Sequence, residues 1–241
     1  VPPGEDRWNG YGRFYKVAQD SIHLVKDHFS VAPRSADSFT TLNDTLYFTG
    51  NTDPWAESAG TLLWTSDGTA AGTQMVKDMV ADTRQDQIAS RLFAFDNRIF
   101  YSAVTNDGSN DNFIWKSNGT EGGTERLLDI YGWSSFGGDG EVNSMVPMGS
   151  HLYFQGTDQS YNDSLWASDG TTAGTQKLKT ICADGCDIRN LTVVNNTLFF
   201  DTDNKEELWK SDGTEAGTEK IILTAAGSVD NLITCNNKLY L

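Results

Sequence analysis

Proline, cysteine, histidine and positive charge are all scarce in this chain. Only 5 of its 241 residues are Pro, against 23 Gly, which excludes a Pro-rich linker and predicts many tight turns. Lys and Arg number 18 against 33 Asp and Glu, a net charge of -15. Such a chain repels nucleic-acid phosphates and anionic lipid surfaces, so nucleic acid is not expected as a partner. Spread through the loops, the same charge also serves plain solubility. No run approaches the ~20 apolar residues that span a bilayer, so no membrane insertion is expected. The chain opens VPPGEDRW, with no initiator Met and no signal peptide at Val1, the pattern expected of a processed or trimmed product.

The chemistry-bearing residues are equally sparse. The three His (His23, His28, His151) are far from the Cys in sequence and sit beside apolar strand residues. Of the three Cys, Cys182 and Cys186 lie close together in CADGC and are placed to close a small disulfide loop; metal ligation is the weaker reading, so no metal site is expected. Neither G-x-S-x-G nor H-E-x-x-H occurs. Acidic pairs are everywhere, so a glycosidase pair is open but not singled out.

What the chain does have is a sentence repeated four times: LWTSDGTAAGT from Leu63, IWKSNGTEGGT from Ile114, LWASDGTTAGT from Leu165 and LWKSDGTEAGT from Leu208. Each copy follows an apolar-aromatic hairpin pattern, such as SFTTLNDTLYFTG from Ser38 or SMVPMGSHLYFQG from Ser144, and precedes a short apolar run such as TQMVKDM from Thr73. Each unit therefore reads as four strands with tight turns at Asn-Asp, Asp-Asn, Gly-Ser or Asn-Asn and at Asp-Gly or Asn-Gly. The motif Trp residues recur at steps of 51, 51 and 43, the spacing of a four-stranded propeller blade. The segment from Asn231 repeats only the first half of a unit, and GRFYKVAQDSIHLVKDHF from Gly12 resembles the second half. The fold class expected is thus all-β: one domain over 1–241, a five-bladed β-propeller closed by a composite blade from both termini. One helical turn is the only helix considered, at 81–91.

Two readings compete for the motif residues. Trp64, Trp115, Trp166 and Trp209 pack between blades with their indole N–H bonded to a loop carbonyl, or they stack on sugar rings. Asp67, Asn118, Asp169 and Asp212 cap their own turns, or the three Asp ligate calcium. The Asn in the second copy keeps the cap but loses the charge, which favours capping; no cofactor is expected, with calcium the one left open. Outside the repeat, Trp8, Tyr11, Trp55, Trp133, Phe136 and Tyr161 lie in polar, Gly-containing loops where strand packing does not demand them. Trp8, Tyr11, Trp55, Trp133 and Tyr161 are the candidate ligand-binding set, because binding residues collect on loops carried by a rigid scaffold. Five Asn-x-Ser/Thr sequons, at Asn43, Asn118, Asn162, Asn190 and Asn195, together with the Cys pair, favour a secreted glycoprotein.

ELWKSDGTEAGTEK from Glu207 and its three partner copies resemble the ELWxxDGT-repeat family of bacterial and marine extracellular proteins. The resemblance covers about four-fifths of the chain and implies secretion or surface exposure, with no one activity attached. The five-bladed architecture is similar to the tachylectin-2 type of sugar-binding propeller. The leading expectation is therefore a secreted lectin-like module with repeated sites between blades, binding glycans or glycoproteins. The alternatives are a structural, matrix or adhesion protein without a small-molecule site, and an enzyme with one site in the central channel or the 131–141 loop. The oligomeric state is left open.

Overall fold

The computed structural model describes residues 12–18, 21–29, 38–50, 62–77, 87–88, 91–104, 112–130, 145–158, 160, 162–183, 186, 188–202, 207–222 and 232–240. Among them every regular element is a strand. A two-stranded sheet, β1 (Gly12–Ala18) and β2 (Ser21–Phe29), comes first. A four-stranded antiparallel sheet follows, in the order β3 (Thr40–Leu42), β4 (Thr45–Gly50), β5 (Leu62–Ser66), β6 (Gln74–Met75). The next sheet is five-stranded: β7 (Gln87–Ile88) and β8 (Phe93–Phe95) both pair with β9 (Arg98–Val104), then come β10 (Asn112–Ser117) and β11 (Thr124–Ile130). Two more four-stranded sheets run in chain order: β12 (Met145–Met148) to β13 (His151–Thr157), β14 (Asp163–Ser168) and β15 (Thr175–Cys182), then β16 (Ile188–Val194) to β17 (Thr197–Thr202), β18 (Glu207–Ser211) and β19 (Glu219–Ile221). The last pair is β20 (Ile233–Cys235) with β21 (Lys238–Tyr240).

The four-strand grammar of the repeat is what three of the sheets build, while the β7–β11 sheet gains β7 as a fifth strand because Gln87–Ile88 also pair with β9; each step has a local cause. In four units the first hairpin turns on two residues held at positive φ, Asn43-Asp44, Asp96-Asn97, Asn195-Asn196 and Asn236-Asn237, while the β12–β13 hairpin turns on Gly149-Ser150 with only Gly149 at positive φ. Asn and Asp tolerate that region, and paired positive φ matches the twist of the flanking strands. The helical turn considered at 81–91 is not formed at Gln87–Ile88, which are extended and pair with Val104 and Ala103 of β9.

Strand alternation carries both faces of the inner sheets into the core. On β9, Ile99, Tyr101 and Ala103 join Tyr47, Leu62 and Leu63 of the preceding sheet, while Phe100 points the other way, to Met145, Leu152 and Phe154 of the following one. Tyr153 repeats the pattern one sheet later, packing with Leu191, Leu198 and Phe200. The core is therefore a series of apolar slabs between consecutive sheets, in which a fully buried Leu or Phe contributes about 2–3 kcal/mol. The first strands β3, β8, β12, β16 and β20 touch in sequence. This is a β-propeller-like arrangement. The two terminal hairpins, expected to share one composite blade, form separate two-stranded sheets among the described residues.

The Cys182–Cys186 disulfide is formed, with Cα atoms 5.8 Å apart, and it ties the end of β15 to the segment leading into β16. Cys235 is free and exposed. No helix among the described residues is long and apolar enough to cross a membrane.

Candidate functional site

The repeated Asp-Gly-Thr step forms the same closed turn four times. In the first copy Asp67 Oδ1 accepts from the Thr69 amide at 2.8 Å and from the Thr69 hydroxyl at 2.8 Å. Thr69 Oγ1 in turn accepts from the Gly72 amide at 3.0 Å, and Thr73 Oγ1 donates to the Thr69 carbonyl at 2.6 Å. Ser66 Oγ lies 2.7 Å from Thr73 Oγ1 and accepts from the Gly68 amide. The first Gly is needed for its backbone, since Gly68 sits at φ +85°. The second is needed for space: a Cβ on Gly72 would lie 2.1 Å from the Asp67 carboxylate. Hydrogen bonding from the Thr69, Thr171 and Thr214 hydroxyls, then from their amides, lowers the Asp67, Asp169 and Asp212 carboxyls below the ordinary value. Asn118 makes the same pair of bonds with Thr120 through its amide oxygen. The capping reading of this position is what the geometry displays.

The four Trp residues are also structural, but they are not equivalent. Trp64 donates its indole N–H to the Gly50 carbonyl at 3.2 Å, and Trp166 to the Gly156 carbonyl at 3.1 Å. In the other two copies Ala103 and Thr202 replace that Gly. A Cβ on Gly156 would lie 2.8 Å from the Trp166 indole nitrogen, so any side chain there blocks the approach. Trp209 turns to Glu207 Oε2 at 3.3 Å. Trp115 is buried with its Nε1 unpartnered, beneath the Arg126 guanidinium and the Lys77 ammonium.

Most of the sequons carry structural bonds. The side-chain amide of Asn43 donates to Asn97 in the neighbouring hairpin, that of Asn195 to the Asn237 carbonyl, and that of Asn190 to the buried Asp201 at 2.7 Å. Asn162 donates to Asp158, which also pairs with Lys177 at 2.9 Å. Burial would raise the Asp158 carboxyl; Lys177 and the amides of Asn162 and Ser160 outweigh it and hold the group at about 2.

Of the candidate ligand-binding set, Trp8, Tyr11, Trp55, Trp133 and Tyr161 all lie outside the described residues, as do Phe136 and the 131–141 loop. The Asn-Asp hairpins and the Asp-Gly-Thr turns close one end of the sheets. The connections between second and third strands and from one sheet to the next leave the opposite end.

An open cleft of about 910 Å³ lies between the β1–β2 sheet and the β3–β6 sheet, lined by Tyr15, Lys16, Phe39, Asp44, Asp67 and Gly68 among others. The repeat pattern did not single it out, because Tyr15, Lys16 and Phe39 occupy repeat positions that are packed elsewhere. No group of three or more potential metal ligands occurs among the described residues.

No protein-family model matches the chain, and no curated protein matches it. Solved structures do. A prolyl endopeptidase structure is superimposable at a TM-score of 0.51 and 10% identity, over 81% of this chain and 29% of that one. An exo-β-1,3-galactanase from Phanerochaete chrysosporium matches at 0.47 and 10%, over 80% of this chain and 52% of that one. A nidogen/laminin complex matches at 0.40 and 11%, over 96% and 81%. This chain thus spans about half the galactanase chain and under a third of the peptidase chain. Likeness at these identities concerns fold alone, and the two looser superpositions carry no argument.

Proposed function

We propose that this chain is a secreted, carbohydrate-binding five-bladed propeller of the ELWxxDGT-repeat kind, a single domain closed by both termini. Its partners are glycans or glycoproteins, and it needs no cofactor. The observation that carries the reading is the division of labour between the self-satisfied motif turns and the aromatic-bearing connections outside the repeat. The Asp-Gly-Thr turns use their polar groups on each other, which leaves them little to offer a ligand. Trp8, Tyr11, Trp55, Trp133 and Tyr161 fall, in sequence, before β1, between β4 and β5, between β11 and β12 and between β13 and β14, in connections of the kind where binding residues collect. Aromatic faces suit the C–H face of a pyranose, and Asp, Asn and backbone groups suit its hydroxyls. The disulfide is compatible with an oxidising compartment.

A glycan array probed with the intact protein, with and without chelator, tests this. Binding to one sugar class, unchanged by chelator and competed by the free sugar, is the expected result. Trp55→Ala and Trp133→Ala should then weaken binding tenfold or more at unchanged Tm, while Asp212→Asn leaves it intact. A silent array with folded protein overturns the proposal in favour of a matrix role.

A further inference from the structure

The open cleft has a counterpart at the three junctions between the four sheets from β3 to β19, and there it is filled. At each filled junction an aromatic ring from the second strand of one sheet sits against the Asp-Gly-Thr glycine of the next. A Cβ on Gly119 would meet the Tyr47 hydroxyl at 2.3 Å, one on Gly170 the Phe100 ring at 3.4 Å, and one on Gly213 the Tyr153 hydroxyl at 2.4 Å. Among the described residues, Gly68 alone of these four has no ring against it; its neighbour is Lys16, at 3.5 Å. Phe39, 46% exposed beside the cleft, stands where Leu92, Met145 and Leu191 are at most 6% exposed.

Lys16 also says which strand position β1 occupies. Its ammonium donates to the Gly68 carbonyl at 2.9 Å, as Lys116 on β10 donates to the Gly170 carbonyl at 3.0 Å. β1 therefore stands to the β3–β6 sheet as a third strand, with Tyr15 at the Trp position. Among the described residues no strand at the second-strand position pairs with it. The C-terminal hairpin has the matching pattern: Asn236-Asn237 aligns with Asn43-Asp44, and Lys238-Leu239-Tyr240 with Thr45-Leu46-Tyr47. Tyr240 is the residue equivalent to Tyr47 and Tyr153, yet it is 52% exposed. With Ile222 as the one exception, every exposed large apolar side chain among the described residues lies on β1–β2, on β20–β21 or at Phe39. A monomer seldom leaves a matched set of apolar surfaces in water.

We infer that the cleft is the seat of Tyr240: β21 pairs antiparallel with β1, and the Tyr240 ring packs on Gly68. The inference rests on the five-unit ring proposed above and adds its register. Tyr47 pairs with Thr65, Phe100 with Lys116 and Tyr153 with Ala167. By the same rule Tyr240 lies opposite Lys16, and Leu239 opposite Val17. The cleft is then a protein-protein seam and not a ligand pocket.

Paired cysteines test the register on the intact chain in a Cys235→Ser background. One variant carries Leu239→Cys with Val17→Cys, a second Tyr240→Cys with Lys16→Cys, and a third the out-of-register pair Leu239→Cys with Ile22→Cys. Opposite residues on antiparallel strands alternate between close and wide spacing, so one of the first two pairs is at bridging distance. Expected is an intramolecular crosslink in one of those two and none in the third. Tyr240→Ala, with its own cysteines untouched, should lower Tm by about 5 °C or more, as loss of a buried ring does, while Ile222→Ala leaves it unchanged. Crosslinks only between two chains would overturn the inference, since a second copy would then fill the seam. So would the absence of any crosslink with an unchanged Tm for Tyr240→Ala. Glycan binding is read separately, so failure here leaves the carbohydrate reading standing, and a silent array leaves this one standing.

Discussion

Single residues in this chain are best understood by comparing the four copies, because each substitution is a natural control. The carbonyl under the motif Trp is reachable only where the residue two after the strand aromatic is Gly. Gly156→Ala should therefore destabilise the protein by about 1–2 kcal/mol, the cost of an indole N–H left unpaired. The sign is diagnostic, since Gly→Ala within a strand is otherwise stabilising by about 0.5–1 kcal/mol; urea denaturation reads it. The capping carboxylates make a second comparison. Asp67, Asp169 and Asp212 have lowered pKa values in the folded state, so their contribution is present above the ordinary value of 3.8 and is lost as pH falls through the folded value. Asn118 holds the same turn without titrating. Replacing all three Asp by Asn should keep the fold at neutral pH and flatten the fall in Tm on acidification, measured by thermal melts across the acid range.

Between elements, individual side chains join one sheet to the next. Lys116 is buried at 7% exposure and crosses to the Gly170 carbonyl of the following sheet. Its equivalents Thr65 and Ala167 have no side chain that could do so, and Lys210 pairs with Glu219 of its own sheet at the surface. Lys116→Met should cost about 1.5–3 kcal/mol, as loss of a charge-assisted bond that leaves a buried carbonyl, whereas Lys210→Met should stay within about 0.5 kcal/mol. Chemical denaturation of the two variants side by side checks the contrast. Asp163 is the comparable joint at the disulfide. Its two oxygens hold the Cys186 amide at 2.7 Å and the Thr157 hydroxyl at 2.9 Å, so Asp163→Ala orphans a buried N–H at a cost of about 1–3 kcal/mol.

For the whole molecule, the apolar slabs lie between neighbouring sheets and nowhere else among the described residues. An open stack with only nearest-neighbour interfaces frays from its ends, while a ring has no end to fray from. With the seam closed by Tyr240, unfolding followed by Trp fluorescence and by far-UV circular dichroism should coincide in one transition. The Tyr240→Ala variant should separate the two, with an early loss from the terminal hairpins. Differential scanning calorimetry gives the independent check.

Much of the architecture was legible in the sequence because it is written in local chemistry and repeated. Period-two apolar runs, Asn-Asp turns that tolerate positive φ, and the spacing of Trp64, Trp115 and Trp166 determine four-stranded units without reference to anything distant. The capping role of Asp67 was legible for the same reason: its partners are two residues away. What only tertiary structure decided depends on residues far apart. That Gly72 is reserved for a carboxylate beneath it, that Ala103 denies Trp115 its carbonyl, and that Lys16 reaches Gly68 across 52 residues are facts of packing. The aromatic at position 47, 100 or 153 reads in sequence as one more core residue. Only the neighbouring sheet makes it the ring that covers a turn glycine, and so makes an uncovered glycine informative.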